Sequence, residues 1–495
     1  MRKVKIFSVF LSIILLFNCT AATLTASAIF TPSFELFSEG VYMVNLDTDI
    51  PIVSKNADKK MYPASTTKIM TALLSFELIK NFNDTVEVPY DCFNEFTWNS
   101  SSEYYNPNTC GASNADIQPG QSNLTYWDCL YALMVCSACE AANILAYNLG
   151  GKSIKAFVDG MNNLAAKLGC KNTHFSNPHG LYDDDNYTTP YDLYLITKYA
   201  IEKYPRLLEI SNTYSYDMPP NSNNPDGYTI YHTNQMIKPD SEYYYEGVCG
   251  VKTGSIDYYY HRNSDGTINE TDYDYGSRAL VSTAKKNGYN YIIVSMGAPY
   301  WNDDKTALTE KNLSFVDHTK LYDWAFGEFE YTLVIGKNEQ IMQVDVEKGE
   351  DADTVALVAT EDFWTLLPKS LDKSTIQRVR PEIDHLEAPV TKGDETGNLV
   401  LRLNGETLAN IKLVTENDVE LSMTAYYKEK LDELMATPQF PAIIICAVLL
   451  IVVYITAMVM RRNHKLKVQE QQRRRKINSI SNGGQKPRNN QQKRR

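Results

Sequence analysis

A chain of 495 residues is too long for one typical domain, so two or three folded units are expected. The formal net charge is −12, yet 13 of the Lys and Arg residues lie in segment 461–495. The part between the two ends is therefore strongly acidic, roughly −27 once the tail and the +3 of segment 1–28 are set aside. Such a charge excludes nucleic acid as an expected partner of that part.

Both ends of the chain carry targeting signals. Segment 1–28 has a basic start, an apolar run and an A-x-A site, which predicts a cleaved secretory signal peptide; an uncleaved N-terminal anchor is the alternative. Segment 440–460 is apolar and uncharged, and its length predicts a transmembrane helix. The basic segment 461–495 predicts a cytoplasmic tail with a disordered end. These signals predict a single-pass protein of the cell membrane whose segment 29–439 is extracellular.

The exported part begins with an alternating apolar pattern that predicts a β-hairpin over 40–54. An apolar run over 65–80 predicts a buried helix. Further helical patterns occupy 124–149, 152–169, 188–204 and 305–327. Strand patterns occupy 248–254, 277–284 and 289–296, with a hairpin turn at Lys286-Asn287-Gly288.

The remaining segments are two inserts and a region of short strands. The inserts at 91–118 and 256–275 are polar and rich in tyrosine; they could select a substrate or a wall partner, or be surface loops. Short strand patterns after about residue 330 predict a small all-β domain over 330–416, followed by a linker at 417–439. The fold class expected for segment 29–328 is α+β, with an antiparallel sheet, helices and a helical subdomain.

Seven of the nine cysteines fall in the exported part, and an odd number requires a free thiol or an intermolecular bond. Cys92 and Cys110 bracket the first insert and are the best candidates for an intrachain disulfide. The sequence has no H-E-x-x-H motif and no Cys/His cluster with zinc spacing. No metal or cofactor is therefore expected.

Ser65 and Lys68 form the first candidate catalytic motif. Their i, i+3 spacing places both side chains on one face of a helix. A serine hydroxyl needs a base, and a lysine amine serves as one only when it is neutral. By itself the motif is weak, because a helix-capping Ser and a solvated Lys have the same spacing. Its position at the head of an apolar helix favours a role for Lys68, since an inward charge would otherwise be costly.

Lys252, Thr253 and Gly254 follow an apolar strand pattern and form the second motif. A cation and a hydroxyl at a strand beside a cleft could bind a substrate carboxylate, and a glycine leaves the approach open. Ser137 and Cys139 lie between the two motifs in the chain. The Ser137 hydroxyl could relay a proton, although a serine at a helix start is the commoner explanation.

These segments resemble one family. The residues around Ser65, the segment Asn177-Pro178-His179-Gly180-Leu181 and the residues 250–255 are similar to the D-alanyl-D-alanine carboxypeptidases. These are low-molecular-mass penicillin-binding proteins of the serine peptidase and β-lactamase superfamily. The resemblance covers about 35–300, and it continues more weakly over 335–415, which looks like the β-rich C-terminal domain of the same family.

The resemblance implies a DD-peptidase fold and a mechanism. Ser65 would attack the D-Ala–D-Ala bond of peptidoglycan stem peptides, with Lys68 as its base. Backbone N–H groups of Ser65 and Ser255 would form the oxyanion hole, while Lys252 and Thr253, beside Gly254, would bind the terminal carboxylate. Ser137 would pass a proton to the leaving D-alanine. β-Lactam antibiotics would acylate the same serine as inhibitors.

Cys139 departs from the family pattern, which has Asn at this position. A thiol is a weaker donor and acceptor than an amide, so the polar contact is looser or the specificity has changed. Cys139 as the nucleophile is an alternative that Ser65 and its neighbouring base make the poorer one. A DD-transpeptidase and a catalytically silent wall-binding or scaffold protein remain the alternative functions. A β-lactamase is disfavoured, because no deacylating Glu is evident near Asn177.

Overall fold

The computed structural model describes residues 30–96, 108–109, 111–265 and 267–481. The predicted signal peptide, Cys110, part of the 91–118 insert and the end of the basic tail lie outside the described residues. The chain divides into two compact units. The first contains residues up to Lys337 with Glu361–Val379 and Leu399–Ile411; the second contains Asn338–Thr360, Arg380–Asn398 and residues from Lys412 onward.

Helices and strands alternate in blocks up to residue 328. In chain order they are β1 (Gly40–Asn45), β2 (Ile50–Lys55), α1 (Lys68–Leu78), α2 (Tyr126–Met134), α3 (Cys139–Leu149), α4 (Ile154–Lys167), α5 (Pro190–Lys203), α6 (Pro205–Ser211), β3 (Ser215–Met218), β4 (Tyr228–Tyr231), β5 (Val248–Ser255), β6 (Tyr258–Arg262), β7 (Ile268–Tyr275), β8 (Ser277–Lys286), β9 (Tyr289–Pro299) and α7 (Leu313–Glu328).

The main sheet of the first unit has five antiparallel strands in the order β2-β1-β9-β8-β5. The predicted hairpin over 40–54 is confirmed as β1 and β2. The predicted turn between β8 and β9 is also confirmed, because Asn287 and Gly288 both take positive φ, at 53° and 85°. The second insert forms the hairpin β6–β7. Strand β5 is an edge strand of the main sheet, so its outer side is available to a cleft.

Helix α1 is the buried helix that its apolar sequence predicts, since residues Lys68 to Phe76 are all buried. It packs against α2, α3, α4 and α5. Its start differs from the prediction. Ser65 lies in a preceding 3-10 turn, Ala64–Thr67, and not in the α-helix itself. Ala64 has φ 49°, so the chain bends sharply just before Ser65 and presents that side chain at the end of the helix.

The predicted helix over 305–327 is wrong in its first part, since α7 begins only at Leu313. Asn302 and Asp304 accept hydrogen bonds from the backbone N–H of Thr306, and these local bonds compete with a helix. Lys305 takes φ 60°, which is not helical. The side chain of Asn312 then caps α7 through the N–H of Ser314.

Strands predominate from residue 329 to 415, which confirms the predicted β-rich domain. They are β10 (Phe329–Ile335), β11 (Gln340–Glu347), β12 (Thr354–Ala359), β13 (Phe363–Pro368), β14 (Gln377–Val379), β15 (His385–Glu387), β16 (Glu395–Leu403) and β17 (Glu406–Thr415). Strands β10 and β13 pair in the first unit, and β11 pairs with β12 and β15 in the second.

Two helices end the described chain. The predicted linker contains α8 (Met423–Ala436), whose N-terminus is capped by Ser422. Helix α9 (Phe440–Ser481) contains the predicted span, and it is the one described helix that is long and apolar enough to cross a membrane. It continues into the basic tail as far as Ser481, so this part of the tail is helical and not disordered. Good helix formers predominate there, with a Glu470–Arg474 pair at 3.6 Å.

Candidate active site

The first element of the site is the turn before α1. Lys68 is the first residue of α1, and its side chain is completely buried. Its Nζ lies 3.0 Å from Ser65 Oγ and donates to the backbone oxygen of His179 at 2.6 Å. The i, i+3 spacing therefore brings hydroxyl and amine together as predicted, although a 3-10 turn and not an α-helix joins them.

Strand β5 lies beside this turn at very short range. A Cβ on Gly254 would lie 3.0 Å from the Pro63 carbonyl oxygen and 3.3 Å from the Ser65 nitrogen. Glycine at this position allows the strand to approach the serine this closely. The neighbouring Thr253 hydroxyl is 2.5 Å from the hydroxyl of Thr233.

Ser137 and Cys139 occupy the break between α2 and α3. Ser137 has φ 66°, an unusual conformation for a residue other than glycine, and its Oγ is buried without a hydrogen-bond partner among the described residues. Cys139 begins α3, and its Sγ lies 3.4 Å from Lys68 Nζ. The Cys139 thiol thus contacts the amine that the motif places beside Ser65.

The predicted site residues converge on one cleft. Five of them line a cavity of about 570 Å³, namely Ser65, Ser137, Thr253, Gly254 and Ser255. The other three, Lys68, Cys139 and Lys252, are buried. Polar groups from three separate parts of the chain therefore meet around one space that a ligand can enter.

Lys252 is buried, and no carboxylate of the described residues is hydrogen-bonded to it. Its Nζ donates to the carbonyl oxygen of Thr253 at 2.9 Å. Burial, and then the positive charge of Lys68, lower the pKa of Lys252 to about 7. Among the described residues, neither amine is hydrogen-bonded to a carboxylate. An anionic ligand group would supply the missing negative charge.

Two further residues, Ser113 and Arg278, shape this cleft and were not predicted from the sequence. Ser113 donates to the backbone oxygen of Ser137 at 2.7 Å, and its carbonyl accepts from the N–H of Cys139 at 2.8 Å. Arg278 lines the cleft from β8, where it donates to Thr309 Oγ1 at 2.7 Å. Neither residue has a local sequence signal, because both reach the site through long-range packing.

The segment 177–181, which the family resemblance includes, holds Lys68 in place. The carbonyl oxygen of His179 accepts from Lys68 Nζ, and that of the preceding residue, Pro178, accepts from Thr71 Oγ1 at 2.6 Å, three residues further along α1. Gly180 has φ 85°, and a Cβ there would lie only 1.9 Å from the Ala64 carbonyl oxygen. Only glycine fits this approach to the turn that carries Ser65.

Cysteines elsewhere in the described chain are unpaired. Cys92, Cys129, Cys136, Cys170 and Cys249 are free thiols. Cys110, the predicted partner of Cys92, lies outside the described residues.

Glu140, directly after Cys139, is a buried carboxyl group that supports the cleft wall. Its Oε1 accepts from the N–H of Ala115 at 2.6 Å. Two residues shortly before Ala115 in the chain, Ala112 and Ser113, line the cleft. Burial raises the pKa of Glu140 to about 7, against the opposing effects of backbone N–H groups and of the Lys68 charge.

Glu140→Gln should remove one pH dependence of stability. The raised pKa means that the folded protein binds a proton that the unfolded chain has lost, so this contribution to stability is lost as the pH rises through about 7. The melting temperature of the wild type minus that of Glu140→Gln, both measured on the full chain in detergent, should therefore decrease as the pH rises from about 5 to about 8. Exposed Glu209→Gln is the control. A difference that stays constant with pH would show that Glu140 does not titrate in this range.

This geometry suits acyl transfer to a serine, with an amine as the base and no histidine at the hydroxyl. The sequence pattern of the D-alanyl-D-alanine carboxypeptidase family matches residues 27–300, more than half of the chain. A second pattern, that of the penicillin-binding protein 5 C-terminal domain, matches residues 329–421. The chain therefore belongs to the D-alanyl-D-alanine carboxypeptidase family, as its motifs predict.

Individual relatives agree with this assignment. The D-alanyl-D-alanine carboxypeptidase DacF of Bacillus subtilis is 28% identical over 387 residues, which are 77% of this chain and 86% of the relative. Two crystal structures share the fold. The carboxypeptidase DacD of Francisella tularensis has a TM-score of 0.56 at 20% identity and covers 82% of this chain and 100% of its own. Penicillin-binding protein 5 of Haemophilus influenzae has a TM-score of 0.51 at 23% identity and covers 79% and 99%.

Proposed function

We propose that this protein is a serine-type D-Ala-D-Ala carboxypeptidase that removes the terminal D-alanine of peptidoglycan stem peptides through an acyl-enzyme on Ser65. The observation that carries the proposal is the 3.0 Å contact between Lys68 Nζ and Ser65 Oγ at a cleft that also contains Thr253. Family membership supports the same reaction class.

In the first step, Ser65 Oγ attacks the carbonyl carbon of the D-Ala–D-Ala bond while Lys68 Nζ takes the hydroxyl proton. The backbone N–H groups of Ser65 and Ser255 stabilise the oxyanion. The C–N bond then breaks, and the Ser137 hydroxyl relays the proton held by Lys68 to the leaving amine. The position of Ser137 on the cleft wall and its unpartnered Oγ support this role.

The terminal carboxylate of the substrate binds at the β5 edge of the cleft. Lys252 supplies a positive charge and Thr253 a hydroxyl, while Arg278 on the neighbouring strand adds a second cation. Binding of this carboxylate favours the protonated form of Lys252, whose pKa burial lowers to about 7. Water finally hydrolyses the peptidyl ester on Ser65, whereas a β-lactam forms an ester on the same serine that is hydrolysed slowly.

The direct test is release of free D-alanine from a diacyl-Lys-D-Ala-D-Ala peptide by the full chain in detergent. We expect release by the wild type and none by Ser65→Ala. Fluorescent penicillin should label the wild type alone. If wild type and Ser65→Ala behaved alike in both assays, a silent wall-binding or scaffold role would replace the enzymatic one.

Cys139→Asn restores the usual family residue and tests what the thiol does. If the 3.4 Å contact with Lys68 is only a weak polar contact, the amide should preserve or raise the rate of acylation by penicillin. Cys139→Ala, which removes the contact, is the matched variant and should acylate more slowly than Cys139→Asn. A large loss in Cys139→Asn would mean that the thiol has a positive role in the reaction.

We propose that segment 1–28 is a signal peptide, that the catalytic domain (29–328) and the β-rich domain (330–416) are extracellular, and that 440–460 anchors them. The basic residues after Met460 support a cytoplasmic tail. Truncation before Phe440 should therefore release soluble protein that retains D-alanine release. Continued attachment of the truncated protein to membranes would point to segment 417–439 or to an uncleaved signal.

A further inference from the structure

The hairpin formed by β6 and β7 carries a row of tyrosines on one face, and we call it the tyrosine hairpin. Tyr258 pairs with Tyr275 and Tyr260 with Tyr273 across the two strands. Because side chains alternate along a strand, these four rings share one face. Ring centroids of neighbours within the group are 5.5–6.3 Å apart.

The row is exposed and extends beyond the hairpin. Tyr258, Tyr273 and Tyr275 are 42%, 45% and 40% exposed. The ring of Trp301 continues the row, at 5.7 Å from that of Tyr275. A contiguous run of exposed aromatic rings is a feature that soluble proteins usually keep for a ligand.

The tyrosine hairpin is held firmly against the rest of the first unit. The side chain of Asn108 bonds to both the N–H and the carbonyl of Tyr260, at 2.8 and 3.0 Å. Trp301 Nε1 donates to the carbonyl of Asp257 at 2.6 Å. On the opposite face of the hairpin, Tyr259 stacks on Tyr182 with centroids 4.1 Å apart. These contacts anchor the backbone that carries the exposed rings, which lowers the entropy lost when a ligand binds.

The row is continuous with the cleft. Tyr258 and Tyr182 line the cavity that contains Ser65, so the rings extend from the cleft onto the outer surface. A substrate whose reactive end lies at Ser65 and whose other end is attached to a polymer can follow this surface.

The charges around the rings restrict the chemistry of that polymer. Segment 257–275 contains five carboxylates and one arginine. Phosphate polymers, nucleic acid and anionic lipid would be repelled. A neutral polysaccharide fits, because the apolar C–H faces of sugar rings can stack on tyrosine, and their hydroxyl and amide groups can hydrogen-bond to tyrosine hydroxyls and carboxylates.

We propose that the tyrosine hairpin is a saccharide-binding subsite that holds the N-acetylated glycan chain to which the stem peptide is attached. This proposal rests on the proposed function, since it identifies the form of substrate that the Ser65 cleft receives. The enzyme then prefers glycan-linked peptide over free peptide of the same sequence.

The test compares two substrates with the full chain in detergent. One is a free pentapeptide ending in D-Ala-D-Ala, and the other is that pentapeptide linked to an N-acetylated amino-sugar oligosaccharide. We expect kcat/KM of the wild type to be about tenfold higher for the linked substrate, because its sugar rings add stacking contacts with the tyrosines. The variant Tyr273→Ala/Tyr275→Ala should lose this preference and keep its kcat/KM on free peptide. Tyr90→Ala, an exposed tyrosine outside the hairpin, should behave as the wild type does.

Two outcomes would overturn the proposal. One is an equal kcat/KM of the wild type on both substrates, and the other is a preference that survives in Tyr273→Ala/Tyr275→Ala. If the preference survives and this variant also loses self-association in sedimentation, the rings would be assigned to a second copy of the chain. Failure of the proposed function looks different, because neither substrate would then release D-alanine.

Discussion

Lys68→Ala should slow acylation of Ser65 by about 10³-fold, within the range for loss of a positioned general base. Lys68 Nζ is the amine 3.0 Å from Ser65 Oγ, and a serine hydroxyl without a base is a poor nucleophile. The rate of labelling by fluorescent penicillin measures acylation, and release of D-alanine measures turnover. Both should fall together, because both require acylation of Ser65.

Lys68→Arg separates a base from a fixed charge. A guanidinium keeps the positive charge and the hydrogen bonds but does not lose its proton in proteins. If Lys68 takes the serine proton, Lys68→Arg should be as slow as Lys68→Ala. Lys80→Ala, an exposed lysine just beyond α1, is the matched control. Near-normal acylation in Lys68→Arg would show that Lys68 acts through its charge and that another group is the base.

Lys252→Gln should lower kcat/KM for D-Ala-D-Ala peptides by about 10²-fold. Removing one partner of a desolvated charge pair typically loses about 2–5 kcal/mol. In the part of the chain that the structure describes, no carboxylate hydrogen-bonded to Lys252 competes with the substrate. The protein itself should not be less stable, because an unpaired buried amine is unfavourable for folding. The melting temperature of the full chain in detergent checks this second part.

A substrate with a blocked C-terminus makes the Lys252 experiment specific. A peptide that ends in a D-alanine amide has no carboxylate, so wild type and Lys252→Gln should cleave it at similar, low rates. Lys285→Gln, which removes an exposed lysine on β8, should leave both substrates unaffected. If Lys252→Gln impaired the amide substrate as much as the acid, Lys252 would act on the reacting centre and not on the carboxylate.

The sequence predicted the chemistry of the site better than its detailed geometry. Ser65, Lys68 and Lys252 could be identified because each belongs to a short motif with a chemical reason for its residue types. Their convergence on one cleft agrees with that prediction. The 3-10 turn at Ser65 could not be predicted, since it depends on the φ of Ala64 and on close packing by Gly254 and Gly180.

Residues that reach the site through long-range contacts had no sequence signal. Arg278 and Ser113 lie far from the motifs in the chain, and only the fold brings them to the cleft. The error at 305–312 has a local cause, because Asn302 and Asp304 bind backbone N–H groups that a helix would need. The predicted linker at 417–439 contains helix α8.

The tyrosine-rich composition of segment 256–275 was evident in the sequence, but its meaning was not. Alternation within β6 and β7 places the rings on one face, and the pairing of the strands brings them together. A surface loop with the same composition would scatter them. The fold therefore turns a compositional bias into an aligned row of exposed rings beside the cleft.

Peptide mapping can identify the residue that carries the acyl group. The full chain is treated with benzylpenicillin, digested, and analysed by mass spectrometry for the modified residue. We expect a penicilloyl adduct on Ser65, which is absent from Ser65→Ala. An adduct on Cys139, or release of D-alanine that persists in Ser65→Ala, would show that another residue carries the acyl group.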